Sequence, residues 1–223
     1  MNRRRIGRAV HGRMAALMCV LLLLGIPGMA RAAESAYDRA VAALSAQEIQ
    51  NIRDACLAYN ASLENIVFSD PFSDGPTGTS AEYQALLDPA GDGVMGRLEI
   101  PAIDVTLPIC HAGRPEGMAS GVAHVEGTSL PVGGASSNCV LAGHRGLPGA
   151  ALLTDLDRLA EGDLIVLSVL GENLNYRVDA VRVVSPEEVD ASFASADAEG
   201  VTIVTEAPFG VNSHRLLVHG ARQ

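Results

Sequence analysis

Apolar positions along the chain repeat with two different periods. Over residues 34–66, Val41, Leu44, Ile49, Ile52, Cys56 and Leu57 recur at helical spacing. Ser45 with Glu48 forms a capping-box signature. The stretch therefore predicts two short helices, or one with a break, whose stripe is a packing face. Over residues 67–93 the periodicity lapses into Gly, Pro, Ser and Asp, with one short helical patch at Ala81–Leu87. Connections this long are usually functional covers or linkers. From Val94 the pattern turns to β. "GRLEIPAIDVTLPIC" reads as two strands around Pro101, and "SNCVLAGHRG" as a strand running into a Gly-flanked turn. "GDLIVLSVL" and "NLNYRVDAVRVVS" form a hairpin pair, and "GVTIVTEAPFGVNSHRLLVHGAR" a last pair. "GAALLTDLDRLAEGD" predicts a short helix between them. Seven or eight short strands separated by turn signals make the fold class mainly β, a closed or nearly closed barrel.

Composition adds a compartment. The chain has 223 residues and a formal charge of -10, which argues against nucleic acid as a partner. All sixteen basic residues are arginine, and six of them precede the first acidic residue, Glu34. Beyond that point ten arginines face twenty-six acids, so the body is markedly acidic. "MNRRRIGRAVHGR", then the 17-residue charge-free run "MAALMCVLLLLGIPGMA", then "ARA" at Ala30–Ala32, read as a targeting segment. Cleaved signal and retained N-terminal anchor are both compatible with a run this short. Of the cysteines after it, Cys56, Cys110 and Cys139, no two have metal-knuckle or CxxC spacing. They read as small buried hydrophobes, and neither a cofactor nor a metal is expected.

Three residues are candidates for chemistry. His144 sits between glycines at a strand end, which places its ring at a rim. Arg215 opens the final apolar run. Glu206 closes the preceding one, on the face that alternation shares with Thr202 and Val204 and opposite to Val201, Ile203 and Thr205. Singly, each of these residues is ordinary.

Five ordered segments make them specific: "DPFSD" at Asp70–Asp74, "GVMGRLEIPAIDVTLPI", "GVAHVEGTSLPVGG", "VLAGHRGLPGAALLTDLDRLAEGD" and "TIVTEAPFGVNSHRLLVHGAR". Over about residues 55–222 the sequence resembles the sortases, cysteine transpeptidases of Gram-positive cell surfaces. It is most similar to class C, the pilin-polymerising type. The resemblance implies an eight-stranded sortase-type β-barrel with short helices and an N-terminal helical and lid segment. It implies a His–Cys–Arg active site, in which the family His matches His144 and the family Arg matches Arg215. Asp70, Pro71 and Phe72 match the lid motif that plugs the class C cleft. Thr205 and His124 are expected to line the substrate cleft. The domains expected are a signal peptide or anchor at 1–32, N-terminal helices at 33–66, a lid loop at 67–93 and the barrel at 94–223.

The sequence departs from the family at the nucleophile. Sortases carry Thr-Leu-x-Thr-Cys before the Pro-Tyr/Phe-Gly turn, where this chain reads Thr202-Ile203-Val204-Thr205-Glu206. A carboxylate is a far weaker nucleophile toward an amide than a thiolate, so loss of thioacyl catalysis is expected. Glu206 is expected instead to pair with Arg215, and with His144. Cys139 lies at an odd offset from His144 and is expected to face away from the cleft. The partners implied are sorting-signal peptides of pilins or surface proteins, and an active sortase that this chain would assist. The location implied is the extracytoplasmic face of the membrane, with anchoring through the N-terminal segment because no apolar run precedes the end at Gln223. The alternatives are an active transpeptidase joining pilin subunits, and a hydrolase in which Glu206 activates water.

Overall fold

A computed structural model describes residues 35–63, 70–73, 79–113, 115–146, 152–189 and 198–223. The expected targeting segment and part of the lid loop lie outside the described residues. Two helices open the body, α1 (Ala36–Ala43) and α2 (Ala46–Ala61). Both start where the sequence supplies a cap. Ser35 accepts from the Asp38 amide and Ser45 from the Glu48 amide, and both acidic side chains reach back to the cap backbone. Tyr37, Val41 and Cys56 bury the inner face of this pair against the barrel. Asn60 pins it by accepting from the Leu130 N–H at 2.7 Å and donating to the Leu130 carbonyl at 3.3 Å. A third helix, α3 (Ala81–Ala85), is one turn long and capped by Ser80.

The barrel strands are β1 (Val94–Ile100), β2 (Val105–Cys110), β3 (Val122–His124), β4 (Asn138–Ala142), β5 (Leu164–Val169), β6 (Glu172–Val184), β7 (Gly200–Ala207) and β8 (His214–Arg222). They close in the order β1-β2-β3-β4-β7-β8-β6-β5. The β2–β3 and β4–β7 pairs are parallel and the others antiparallel. Pro101 breaks the first run as expected, into a 3₁₀ turn at Pro101–Ile103 that Asp104 ends at φ 52°. A short helix, α4 (Pro115–Ser120), joins β2 to β3.

The helix expected in "GAALLTDLDRLAEGD" is reduced, among the described residues, to turns and a 3₁₀ segment at Leu156–Arg158. Leu153, Leu156 and Leu159 are buried there, each amide bonded at short range or to the His144 carbonyl. Three closely spaced leucines turned onto one core need the tighter winding.

Alternation sorts the strand residues into two apolar clusters. Val201, Ile203, Ala207, Leu216 and Val218 point into the barrel with Leu98, Ile109, Leu141 and Ile165. Val140, Ala142, Val204 and Leu217 point outward, where Phe72, Met118, Val125 and Val184 cover them. The outward cluster is the floor of the candidate site.

Candidate functional site

Three strands end together at this floor. Glu206 is the penultimate residue of β7, and its register partner across the antiparallel β7–β8 ladder is Arg215. His144 follows β4, which runs parallel to β7. Gly143 and Gly146 shape the turn that carries it. A Cβ on Gly143 would meet Leu153 and Val122 side chains below 3.0 Å, and Gly146, at φ 72°, lets the Phe209 ring pack over it. The imidazole Nδ1 lies 3.2 Å from each carboxylate oxygen of Glu206. The Glu206 side chain is 13 % exposed and the His144 side chain 33 %, so the carboxylate is the more sheltered of the two.

Arg215 is held from another direction. Its Nε and Nη2 donate to Asp70 Oδ1 and Oδ2 at 2.8 and 2.6 Å, and both side chains are 8 % exposed. Two parallel charge-assisted bonds of this length are the strong form of an arginine–carboxylate contact. Nη1 donates to the carbonyls of Asn212 and His214 at 3.0 and 2.8 Å. The Phe72 ring lies 5.1 Å from the guanidinium carbon and 5.6 Å from the His144 ring centroid. The Asp70-Pro71-Phe72 turn thus covers Arg215 and His144 together.

Several expectations change here. The Glu206–Arg215 salt bridge is not formed. The two are register partners, yet Arg215 spends its fork on Asp70, and Glu206 contacts His144. Asp70 accepts two bonds from the Arg215 fork through both carboxylate oxygens, and Glu206 turns both of its own to the imidazole. Thr205 is fully buried on the barrel-interior face, as strand alternation from Glu206 requires, so it does not line the cleft. His124 is also corrected. It is 0 % exposed and belongs to a buried cluster, with Nδ1 3.0 Å from the Tyr83 hydroxyl and Nε2 3.0 Å from the Ser129 carbonyl. Burial depresses its pKa from 6.5 to about 4, which keeps the ring neutral. The three cysteines of the body are buried, and Cys139 joins the barrel-interior cluster, away from His144. Among the described residues no His, Cys, Asp and Glu group could hold a metal ion.

What the residue-by-residue reading of the strands missed is the contact between Asp70 and Arg215, 145 positions apart. The available signal was an acidic residue in an otherwise apolar-poor loop and an arginine at the head of a buried strand, neither with an opposite charge within four positions in the sequence.

The sortase-domain profile matches residues 98–223, more than half of the chain. The chain belongs to the sortase family. Its fold superimposes on sortase C-1 of Actinomyces oris with a TM-score of 0.74 at 40 % identity, covering 79 % of this chain and 98 % of that one. Sortase C-1 of Streptococcus pneumoniae gives 0.75 at 36 % identity, over 84 % and 95 %. Sortase A of Corynebacterium diphtheriae gives 0.77 at 33 % identity, over 84 % and 90 %. Among curated proteins, sortase A of Bacillus anthracis is 29 % identical over 127 residues, 57 % of this chain; the chain spans about 59 % of that relative's length. The mainly β, eight-stranded barrel with short helices is the sortase fold, and this sortase is structurally close to the class C members. Among the described residues no helix is long and apolar enough to cross a membrane.

Proposed function

We propose that this sortase-family chain binds sorting-signal peptides of pilins or surface proteins at the extracytoplasmic face of the membrane without thioacyl catalysis. Glu206 occupies the position of the family's cysteine nucleophile. The observation that carries this reading is the 3.2 Å contact between the Glu206 carboxylate and His144 Nδ1, at a strand end beside Arg215. A thiol, with an ordinary pKa of about 8.5, depends on a neighbouring cation to become a nucleophile. A carboxylate needs no such neighbour to supply negative charge at neutral pH. It satisfies the imidazole without acquiring the reactivity of sulfur. Attack by the carboxylate on a peptide bond would yield a mixed anhydride and expel an amine, a step strongly uphill compared with thioester formation. His144 and Arg215 therefore keep the electrostatic frame of a sortase site, while the covalent step is missing.

In this reading the Asp70-Pro71-Phe72 turn is a lid, and a sorting signal reaches the floor only after displacing the Asp70–Arg215 fork. The role that follows is to hold or present sorting signals, or to assist an active sortase in pilus assembly. The N-terminal segment supplies export and, if retained, the anchor.

The test uses the chain and its Glu206→Cys variant, each with a sorting-signal peptide and a free-amine acceptor. The expected result is saturable peptide binding without turnover for the natural chain, and peptide joining for Glu206→Cys. An acyl-enzyme or a joined product from the natural chain would overturn the reading in favour of an active transpeptidase. A second reading, water activation by Glu206, rests on the same carboxylate–imidazole contact. It predicts hydrolysis alone, lost in Glu206→Gln.

A further inference from the structure

Arg215 divides its donors between two partners. Nη1 donates to carbonyls of its own hairpin, those of Asn212 and His214. Nε and Nη2 donate to Asp70, which belongs to the turn over the floor. The guanidinium is buried under that turn, so these two donors depend on whatever covers them. Any ligand that takes the place of the turn inherits the same demand. Glu206 is engaged elsewhere, with both carboxylate oxygens 3.2 Å from His144 Nδ1. A peptide carbonyl brings a single oxygen to the fork. A carboxylate brings two, in the spacing that a guanidinium matches. The floor already holds a carboxylate in this way, at 2.8 and 2.6 Å, so the group that fits is shown by the one that is there.

The second contact of the turn is made by a ring. Phe72 packs against the outward cluster of Val140, Ala142, Val204 and Leu217. Its ring lies 5.1 Å from the Arg215 guanidinium carbon and 5.6 Å from the His144 ring centroid. An apolar floor beside a cation and an imidazole is a seat for an aromatic side chain. Asp70 and Phe72 are two positions apart, so one short segment fills both places.

We propose that the peptide bound at this floor carries a carboxylate to the Arg215 fork and an aromatic ring to the Phe72 seat, two positions apart. The inference rests on the reading that a sorting signal displaces the turn, and it narrows which signals do so. The exchange is one carboxylate for another, so the charge of the covered floor is unchanged. A neutral peptide leaves part of the fork without an acceptor under cover. An amide in place of the carboxylate turns a donor toward a donor. A lysine or arginine there faces Arg215 itself. A peptide has two sources of the carboxylate, an acidic side chain and the free C-terminus that hydrolysis of a peptide bond leaves.

The probes are two pairs of peptides, titrated into the natural chain and into Asp70→Ala, with backbone amide resonances of residues 140–144 and 214–217 as the readout. The first pair is acetyl-Ser-Asp-Pro-Phe-Ser-amide and the same peptide with asparagine for aspartate. The second is acetyl-Phe-Pro-Ala as the free acid and as the amide. In Asp70→Ala the carboxylate member of at least one pair is expected to bind about tenfold tighter or more, and the pair that shows it identifies the source. The same peptide should bind the natural chain more weakly, because Asp70 competes for the fork. Alanine in place of the probe's phenylalanine should weaken binding several-fold. Equal affinity within both pairs overturns the inference and leaves the functional reading standing. So does an absence of saturable shifts for every probe up to about 5 mM, or shifts centred away from these residues. The functional reading fails on a different result, an acyl-enzyme or a joined product from the natural chain, and a carboxylate preference survives that failure.

Discussion

Glu206 and Arg215 stand directly opposite each other in the β7–β8 ladder, yet each charge is met by a residue from elsewhere in the chain. His144 takes Glu206 and Asp70 takes Arg215. Directly opposed side chains in an antiparallel pair are close enough to interact. Here Arg215 makes two bonds to the carboxylate delivered by the turn above it. The site therefore contains two separate contacts, His144 with Glu206 and Asp70 with Arg215, and they can be perturbed one at a time.

Asp70→Ala removes the turn's carboxylate from Arg215. Losing one partner of a buried pair typically costs about 3–5 kcal/mol when the other stays buried. In the proposed function this turn lifts to admit peptide and leaves the arginine hydrated, so the cost is expected to appear as opening more than as unfolding. Sorting-signal affinity, measured by calorimetry, is expected to rise by about tenfold or more, since the apparent affinity scales with the open fraction. Phe72→Ala should act in the same direction and less strongly, because the fork remains. An unchanged or weakened affinity in Asp70→Ala would show that the turn does not compete with peptide.

His124 makes stability pH-dependent. Burial lowers its pKa from 6.5 to about 4, against an opposing hydrogen bond to the Ser129 carbonyl and with a further push from His111. Between those values the unfolded chain binds a proton that the folded chain refuses. This contribution is therefore complete above about pH 6.5 and is lost as pH falls toward 4. The loss is on the order of 3 kcal/mol over that window, at 1.36 kcal/mol per pKa unit. Denaturant titrations at pH 7 and pH 4.5 should show it, and His124→Gln should flatten the difference even if it lowers both values.

The cysteines of the body should be silent to thiol reagents. Burial raises Cys56 to about 12 and pushes Cys139 higher, and all three are buried. In a Cys19→Ser background, a disulfide reagent at pH 8 should titrate almost no thiol until denaturant is added. Adding Glu206→Cys should create one reactive thiol beside His144, and Asp70→Ala should speed its modification. Rapid native reaction of Cys139 would reopen the question of an alternative nucleophile.

Tyr83→Phe tests the buried cluster that holds α3 to the barrel. The hydroxyl accepts from the Ala112 N–H at 3.0 Å and lies 3.0 Å from His124 Nδ1. Removing it leaves two buried polar groups without that partner, at roughly 1–3 kcal/mol each. A loss of about 2–4 kcal/mol in thermal or chemical unfolding is expected, with the lid contacts unaffected.

The elements formed from local information match the sequence closely. Capping boxes at Ser35 and Ser45 start α1 and α2, Pro101 splits β1 from β2, and period-two alternation puts Val204 and Glu206 on one face and Ile203 and Thr205 on the other. The five ordered segments also sufficed to place the chain among the sortases and to point to His144, Glu206, Arg215 and the Asp70–Phe72 turn. Local rules fail where closure of the barrel decides. His124 is polar and near other site segments in the sequence, but β3 turns it inward onto Tyr83. Thr205 is a different case: alternation from Glu206, itself a local rule, already turns it away from the cleft.

Sequence by itself determined where the helices start, where the first strands break and which strand residues share a face, because capping, turn chemistry and alternation act over a few positions; the candidate site residues were named through the resemblance to the sortases. Only the tertiary structure decided which charge meets which. Arg215 could choose between a neighbour across the ladder and a carboxylate 145 residues away. That choice depends on reach and burial, quantities that exist only once the strands have closed and the turn lies over them.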